Sequence, residues 1–176
     1  TLATGLAVAA MAHASILTTE VEAQEDVNYI LATASTGGTY YPVGVAIATL
    51  TKVKLQPKFK IGMAAINSAG SGENVRLLRE NEAQFAILQG LYGYYAATGT
   101  GPVSADGPQD KLRSVSMLWQ NVEQFVIAAD LVDTGTMSDL VALKGKPIAL
   151  GSRNSGTVGS NAALLGGLGV DIETDY

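Results

Sequence analysis

STGGTYYPVG, residues Ser35 to Gly44, joins an apolar run to a helical pattern and carries the strongest fold signal in the chain. The run Val27 to Thr33 precedes it, and the helical pattern continues through Ala48 and Leu50. Glycines let a backbone approach a ligand closely, and the first N–H groups of a helix have no partner inside the helix. The helix dipole also favours negative charge there. The stretch therefore predicts a strand, an anion-binding loop and a helix, in that order.

Short β-rich runs alternate with helical stretches along the rest of the chain. The predicted strands are Val27–Thr33, Phe59–Ile66, Ala83–Gln89, Leu112–Trp119, Gln124–Ala129 and Lys146–Leu150. The predicted helices are Thr39–Thr51, Gly72–Glu80, Leu91–Ala97, a short helix ending at Leu143, and Thr157–Leu168. Such alternation is typical of a parallel sheet with crossover helices. We therefore predict an α/β fold.

The chain divides into a leader and two units. Leu2 to Ala14 is apolar and too short to span a bilayer, as in the core of a signal peptide. Small residues at Val21 and Ala23 favour cleavage after Ala23, although the segment around His13 also fits, and an N-terminal helix is the alternative. We predict a partial signal peptide over residues 1–23, a first lobe over 24–130 and an incomplete second lobe over 131–176.

A capping box is predicted at the start of the second unit. Thr136 and Asp139 have the spacing at which a hydroxyl and an acid cap each other's backbone N–H groups. The preceding polar segment, Asp130 to Gly135, marks the expected crossing between the two units.

Composition excludes several functions. The formal net charge is −5 and the 11 basic residues are dispersed, so nucleic-acid binding is not expected. The chain has no Cys, and its one histidine, His13, lies in the predicted leader. Ser-His-Asp and Cys-His catalysis and thiolate or imidazole metal sites are therefore not available after the leader. We predict a binding protein, not an enzyme, with no cofactor and no metal.

Three loops share one design. Ser35–Thr39, Asn67–Gly72 and Gly151–Thr157 each follow a predicted strand, carry Ser and Gly, and precede a helix. Open α/β sheets bind ligands at the carboxyl ends of their strands, so the three loops could converge on one site. Gln89, at the end of the third predicted strand, would point to the same edge.

Individual residues in these loops have alternative interpretations. Ser71 could cap the helix that follows it or share its hydroxyl with a ligand. Arg153, the only cation in the loops, could pair with a carboxylate or be a solvated residue. Thr157 and Val158 stand where a nucleotide P-loop needs lysine and a hydroxyl, which disfavours ATP and GTP.

Several separated motifs resemble one family. STGGTYYPVGVAIA, NSAGSGENVRLLRENEAQFAILQ and LKGKPIALGSRNSGT follow one another in the order found in the TRAP-associated extracytoplasmic immunogenic (TAXI) family of solute receptors. The resemblance implies a two-lobed, type II-like periplasmic binding protein. It would close around a small organic acid, such as glutamate or a dicarboxylate, and deliver it to the membrane subunits of a tripartite ATP-independent (TRAP) transporter.

The resemblance also implies where the ligand binds. The family often has an arginine at the position of Val158 and an acid at that of Gly90, so this chain departs from the pattern at both. Together with Arg153, the candidate ligand-binding residues are Ser35, Thr36, Gly37, Gly38, Thr39, Tyr40, Tyr41, Ser68, Ser71, Gln89, Ser155, Gly156 and Thr157. We expect a periplasmic monomer.

Two other classes of protein remain open from the sequence. A secreted α/β enzyme would need catalytic residues from outside these 176 residues. The effector-sensing domain of a regulator would share the two-lobed architecture, but the predicted leader argues against it.

Overall fold

The computed structural model describes residues 25–176. The predicted leader, residues 1–23, lies outside the described residues, as does His13.

A small parallel sheet forms the centre of the first unit. Strand β1 (Val27–Ala32) lies between β2 (Ile61–Ile66) and β3 (Phe85–Ala86), and both neighbours are parallel to it. The register pairs Ala32 with Ile66 on one side and with Ala86 on the other. All three strands therefore end at the same edge of the sheet, and the chain leaves that edge three times into a loop and a helix.

A helix follows each of the three strands, as the alternation predicts: α1 (Tyr40–Lys54) after β1, α3 (Ser71–Arg79) after β2 and α4 (Gly90–Thr98) after β3. The described residues also form α2 (Gln56–Phe59), α5 (Ser138–Val141) and α6 (Gly156–Gly166), with 3₁₀ turns at Gly101–Asp106 and Ala129–Leu131. The prediction of a mixed α/β fold with a parallel sheet is confirmed. The two-lobed architecture and the domain boundary near residue 130 stay predictions.

The second strand begins later than predicted. Phe59 ends helix α2, which has Pro57 in its first turn, and Lys60 then adopts a left-handed conformation with φ of 55°. Proline is favoured in a first helical turn because its missing N–H has no partner there in any case. The strand therefore starts at Ile61, after the left-handed residue has ended the helix.

Three predicted strands are wrong. Leu112–Trp119, Gln124–Ala129 and Lys146–Leu150 form no strand, and the third strand has only the two residues of β3. A β-rich run becomes a strand only where another backbone offers partners for its N–H and C=O groups. None of these runs finds such a partner within residues 25–176, and Val115, Met117 and Val126 are mostly exposed as a result.

Helix α3 connects the two cores of the first unit. Leu77 packs with Ala32 and Ala83 against the sheet, while Val75 packs with Tyr92 of α4. A separate cluster in the second unit contains Leu140, Leu165 and Val170. Because its side chains enter both first-unit cores, α3 fixes the position of α4 relative to the strand ends.

The reciprocal capping box predicted for Thr136 and Asp139 does not form. The Thr136 hydroxyl accepts a hydrogen bond from the N–H of Ser138 and not from that of Asp139. The carboxylate of Asp139, which is 5% exposed, accepts from the N–H groups of Asp133, Thr134 and Gly135 and from the Thr134 hydroxyl. Asp139 therefore binds the loop before the helix rather than the N–H of Thr136.

We expect Asp139→Asn to make the protein less stable at neutral pH and to remove an acid-sensitive part of its stability. Hydrogen bonds from Thr134, first from its hydroxyl, hold the pKa of the Asp139 carboxyl below its usual range. A lowered folded-state pKa gives stability that is present above the unfolded-state value of about 3.9 and is lost as the pH falls through the folded-state value. The melting temperature of Asp139→Asn should thus fall below that of the wild type at pH 7, and the difference should narrow below about pH 4. A constant difference from pH 7 to pH 3 would contradict this role.

Candidate functional site

Asn74 holds the ends of the strands together. Its side chain is fully buried, and its Nδ2 donates hydrogen bonds to the carbonyl oxygens of Thr33 (2.7 Å) and Ile87 (2.9 Å). The Ser68 hydroxyl, in the loop after β2, lies 2.7 Å from Asn74 Oδ1. One side chain therefore joins the segments that follow all three strands. The sequence analysis missed Asn74, although its position three residues before the buried Leu77 is the spacing of a core-facing residue.

Ser71 and Gln89 meet at this edge, as the sequence predicts for residues at the ends of neighbouring strands. The Ser71 hydroxyl is 1% exposed and accepts a hydrogen bond of 3.0 Å from the backbone N–H of Gln89. Helix α3 has no side-chain cap, so Ser71 serves the start of α4 instead of its own helix. The Gln89 side chain is 8% exposed, and its Oε1 has no hydrogen-bond partner in the described part of the chain.

Two further residues, which the sequence analysis missed, contact Gln89 and Tyr40 at this edge. Glu123 Oε1 lies 3.4 Å from Gln89 Nε2, and the Trp119 ring contacts the Tyr40 ring edge-on with centroids 5.6 Å apart. No sequence signal identifies them, because both belong to runs predicted as strands or to the short link between those runs.

The Tyr40 hydroxyl lies close to both Ser71 and Glu123. The pKa of Tyr40 lies above its usual value. Burial raises this pKa most, a hydrogen bond with the Ser71 hydroxyl lowers it, and the negative charge of Glu123 raises it further. Tyr40 thus stays protonated at neutral pH and keeps a hydrogen-bond donor beside Ser71 and Glu123.

The second unit contributes the loop Gly151–Thr157. Asn154 has φ of 61°, and its carbonyl oxygen accepts hydrogen bonds from the N–H groups of Gly72 (3.0 Å) and Glu73 (3.3 Å) at the start of α3. The Tyr92 hydroxyl donates to the carbonyl oxygen of Ser155 at 3.3 Å. The N–H groups of Gly72 and Glu73 at the start of α3 are therefore already bound by the protein's own backbone.

Ser155 and Gly156 form the start of α6 within this loop. The Ser155 hydroxyl caps the helix by accepting from the N–H of Val158 at 3.2 Å. A Cβ at Gly156 would lie 2.5 Å from Gln89 Oε1 and 2.8 Å from the Ser71 hydroxyl, so glycine permits this contact. The structure thus brings Gly156 together with Ser71 and Gln89.

The loop Ser35–Thr39 leaves the first N–H groups of α1 without a capping side chain. Ser35, Thr36, Gly37 and Thr39 are exposed, Gly38, Tyr40 and Tyr41 are half-buried, and the Gly38 N–H bonds to the Ser35 carbonyl oxygen at 2.9 Å. No side chain of residues 25–176 caps α1, and its first turn has no acid. The first N–H groups of α1 and the helix dipole are therefore available to an anion.

Within residues 25–176, Arg153 and Thr157 form no hydrogen bond to Ser71 or Gln89. Arg153 is exposed and lines a cavity of about 690 Å³ together with Tyr92, Asn154 and the three acids Asp171, Glu173 and Asp175. Thr157 is also exposed. Arg153 therefore lines a cavity that includes neither Ser71 nor Gln89.

A larger groove begins at those strand ends. Its volume is about 1450 Å³, and Tyr40, Gln89 and Trp119 line it where α1 and α4 start. Within residues 25–176 no group of three or more His, Asp or Glu side chains is arranged to hold a metal ion. In the same residues, no helix has both the length and the apolar character needed to cross a membrane.

The fold and the strand-end groups define an α/β ligand-binding protein. Hydroxyl, amide and aromatic side chains meet at the carboxyl edge of a parallel sheet, where open α/β folds bind small molecules. The sequence model of the NMT1-like family matches residues 31–176, and the chain belongs to this family. It is a family of solute-binding proteins that typically act outside the cytoplasm.

Proposed function

We propose that the protein is an extracytoplasmic solute receptor of the TAXI type, which binds a small organic acid and delivers it to the membrane subunits of a TRAP transporter. The observation that carries this proposal is the meeting of Ser71, Gln89 and Gly156 at the strand ends. These residues come from α3, the start of α4 and the start of α6, so their contact joins the two units at the edge where a ligand would bind.

The donors at this edge suit the carboxylate of an acid. The start of α1 has uncapped N–H groups, and the Tyr40 hydroxyl at its first residue adds a donor. Backbone N–H groups and the helix dipole together form a common anion site. The exposed hydroxyls of Ser35, Thr36 and Thr39 would surround the acid in this arrangement.

Closure around the ligand is part of the proposal. The hydrogen bonds from Gly72 and Glu73 to Asn154, and from Tyr92 to Ser155, join helices of the first unit to the loop before α6. A ligand that also touches both units would bind this arrangement better than one in which they are apart. It would therefore shift the population toward closure by a hinge motion.

The remaining features of the proposal follow from the receptor role. Residues 1–23 would direct export and be removed, residues 24–130 would form the first lobe, and residues 131–176 would begin the second. The receptor would act in the periplasm as a monomer without a cofactor or metal. Its partners would be a small carboxylate ligand and the TRAP membrane subunits.

A thermal-shift screen of the mature protein, stripped of ligand, tests this function. The panel contains amino acids, dicarboxylates and 2-oxo acids. A ligand present at a hundred times its Kd stabilises the folded state by about 2.7 kcal/mol, which raises the melting temperature by about 5–10 °C. A saturable shift with at least one acid is expected, and the absence of any shift for a folded protein would overturn the proposal.

Gly38→Trp tests the assignment of the first loop. A Cβ at Gly38 would meet only Ser35 atoms at 3.4 Å, so a larger side chain can enter without moving the backbone. The indole would fill the space in front of α1, and we expect affinity for the acid found in the screen to fall by at least about tenfold. The matched control is Gly166→Trp, because a Cβ at Gly166 has no neighbour within 4 Å. Equal affinity of Gly38→Trp and the wild type would remove the first loop from the site.

A further inference from the structure

The outward side of α1 is apolar near its C-terminal end. Gly44 and Ala48 lie on the buried side of the helix. Leu50 and Val53, which are neighbours on the helix surface, are 59% and 60% exposed. The turn of α2 adds Phe59, which is 50% exposed. A helix on the surface of a globular protein usually carries polar residues on its outer side, so these apolar side chains mark a surface for contact with a partner.

Four exposed lysines surround these apolar side chains: Lys52, Lys54, Lys58 and Lys60. No Asp or Glu occurs between Asp26 and Glu73, and within residues 25–176 none of the four lysines forms an ion pair. The net charge of the chain is −5, yet four of its 11 basic residues fall within these nine positions. We call Leu50, Val53, Phe59 and the four lysines the α1–α2 surface, and its charge is positive.

The α1–α2 surface is distant from the candidate ligand site. The 15 residues of α1 span about 22 Å, with Tyr40 at one end and Lys54 at the other. The carbonyl oxygen of Lys60 accepts a hydrogen bond of 2.7 Å from the N–H of Val27, at the start of β1. The surface therefore adjoins the edge of the sheet where the strands begin, whereas the ligand site adjoins the edge where they end.

We infer that the α1–α2 surface binds the anionic surface of a lipid bilayer. A lysine close to anionic headgroups strengthens binding about fivefold, and apolar side chains among the lysines enter the boundary between headgroups and acyl chains. Interfaces between proteins are instead depleted in lysine and enriched in Arg, Tyr and Trp, and residues 50–60 contain none of these three. The composition therefore favours lipid over an acidic protein. This inference goes beyond the receptor function and does not depend on it.

Co-sedimentation of the mature protein with lipid vesicles tests the inference. One set of vesicles is pure phosphatidylcholine, and the other contains equal parts of phosphatidylcholine and phosphatidylglycerol. We expect binding to the anionic vesicles only, and we expect 1 M NaCl to abolish it, because the screening length is then about 3 Å. The double variant Lys52→Gln/Lys54→Gln should bind the anionic vesicles about thirtyfold more weakly than the wild type.

Lys111→Gln/Lys146→Gln is the matched control, because both lysines are exposed and their loss changes the net charge equally. It should retain most of the vesicle binding. An equal loss in both double variants, equal binding to the two kinds of vesicle, or no binding to either would each overturn the inference. Binding only to membranes that contain the transporter subunits would assign the surface to a protein and also overturn it.

Ligand binding separates this inference from the receptor function. Lys52→Gln/Lys54→Gln should keep the wild-type melting temperature and the wild-type affinity for an acid found in the thermal-shift screen, because both lysines are distant from the strand ends. A loss of ligand affinity in this variant would contradict the separation of the two surfaces. Failure of every acid in the screen would overturn the receptor function and leave the vesicle result unaffected.

Discussion

Asn74→Leu should lower the melting temperature by about 5–15 °C, the equivalent of about 2–4 kcal/mol in a protein of this size. Leucine fills a similar volume but cannot donate to the Thr33 and Ile87 carbonyl oxygens. Ile87 would then have a buried carbonyl without a partner, and the Ser68 hydroxyl would lose the Asn74 oxygen. The segments after the three strands would separate, so ligand affinity should fall together with stability. Thermal melting and a ligand titration measure the two effects.

Asn67→Leu is the matched control for this substitution. Asn67 lies on the same edge of the sheet but is exposed. Its replacement should change the melting temperature by no more than about 2 °C, as is usual for a surface position. If both variants melt at the same temperature, Asn74 does not hold the strand ends together.

Gly159→Ala should separate α6 from α4. A Cβ at Gly159 would lie 2.4 Å from the Tyr92 hydroxyl oxygen and 2.5 Å from its ring, and the Tyr92 side chain is only 3% exposed. The ring cannot move aside within its buried cluster, so the helices must part, at a cost of about 1–3 kcal/mol or roughly 3–10 °C in melting temperature. The hydrogen bond from Tyr92 to Ser155 would lengthen, and the loop before α6 would leave Ser71 and Gln89. Weaker ligand binding should therefore accompany the loss of stability.

Gly166→Ala is the matched control, because it makes the same substitution on α6 at a position that does not contact Tyr92. A Cβ there has no neighbour within 4 Å, and alanine favours a helix over glycine by up to about 1 kcal/mol. This variant should keep full affinity and melt at or slightly above the wild-type temperature. Normal binding by Gly159→Ala would show that the contact between α4 and α6 does not position the site.

The parts of the fold that depend on local pattern could be predicted from the sequence. The apolar run of β1, the glycine-rich loop after it and the helical spacing of α1 and α3 are each encoded within a few residues. The rule that parallel strands end at one edge then predicts that the loop with Ser71 and the side chain of Gln89 lie at the same edge. Both predictions needed only short-range information and one topological rule.

The strand predictions are wrong where pairing with a part of the backbone distant in sequence decides the structure. Leu112–Trp119 has the composition of a strand, but composition cannot say whether a neighbouring strand edge is free to pair with it. Glu123 and Trp119 lie in this part of the chain and reach the site through tertiary packing alone. Asn74 was missed for a different reason, since a buried polar residue in a helix looks like any other polar residue until its partners are known.

The central claim is that a small organic acid binds at the strand ends beside Tyr40, and Trp119 can report on it directly. Trp119 is the only tryptophan of the chain, it is 36% exposed, and its ring contacts Tyr40 at 5.6 Å. The measurement is a titration of its fluorescence with the acid that raises the melting temperature, compared with the Kd from calorimetry. We expect a saturable change in Trp119 emission with the same Kd. Calorimetric binding that leaves Trp119 emission unchanged would contradict the claim and locate the ligand elsewhere.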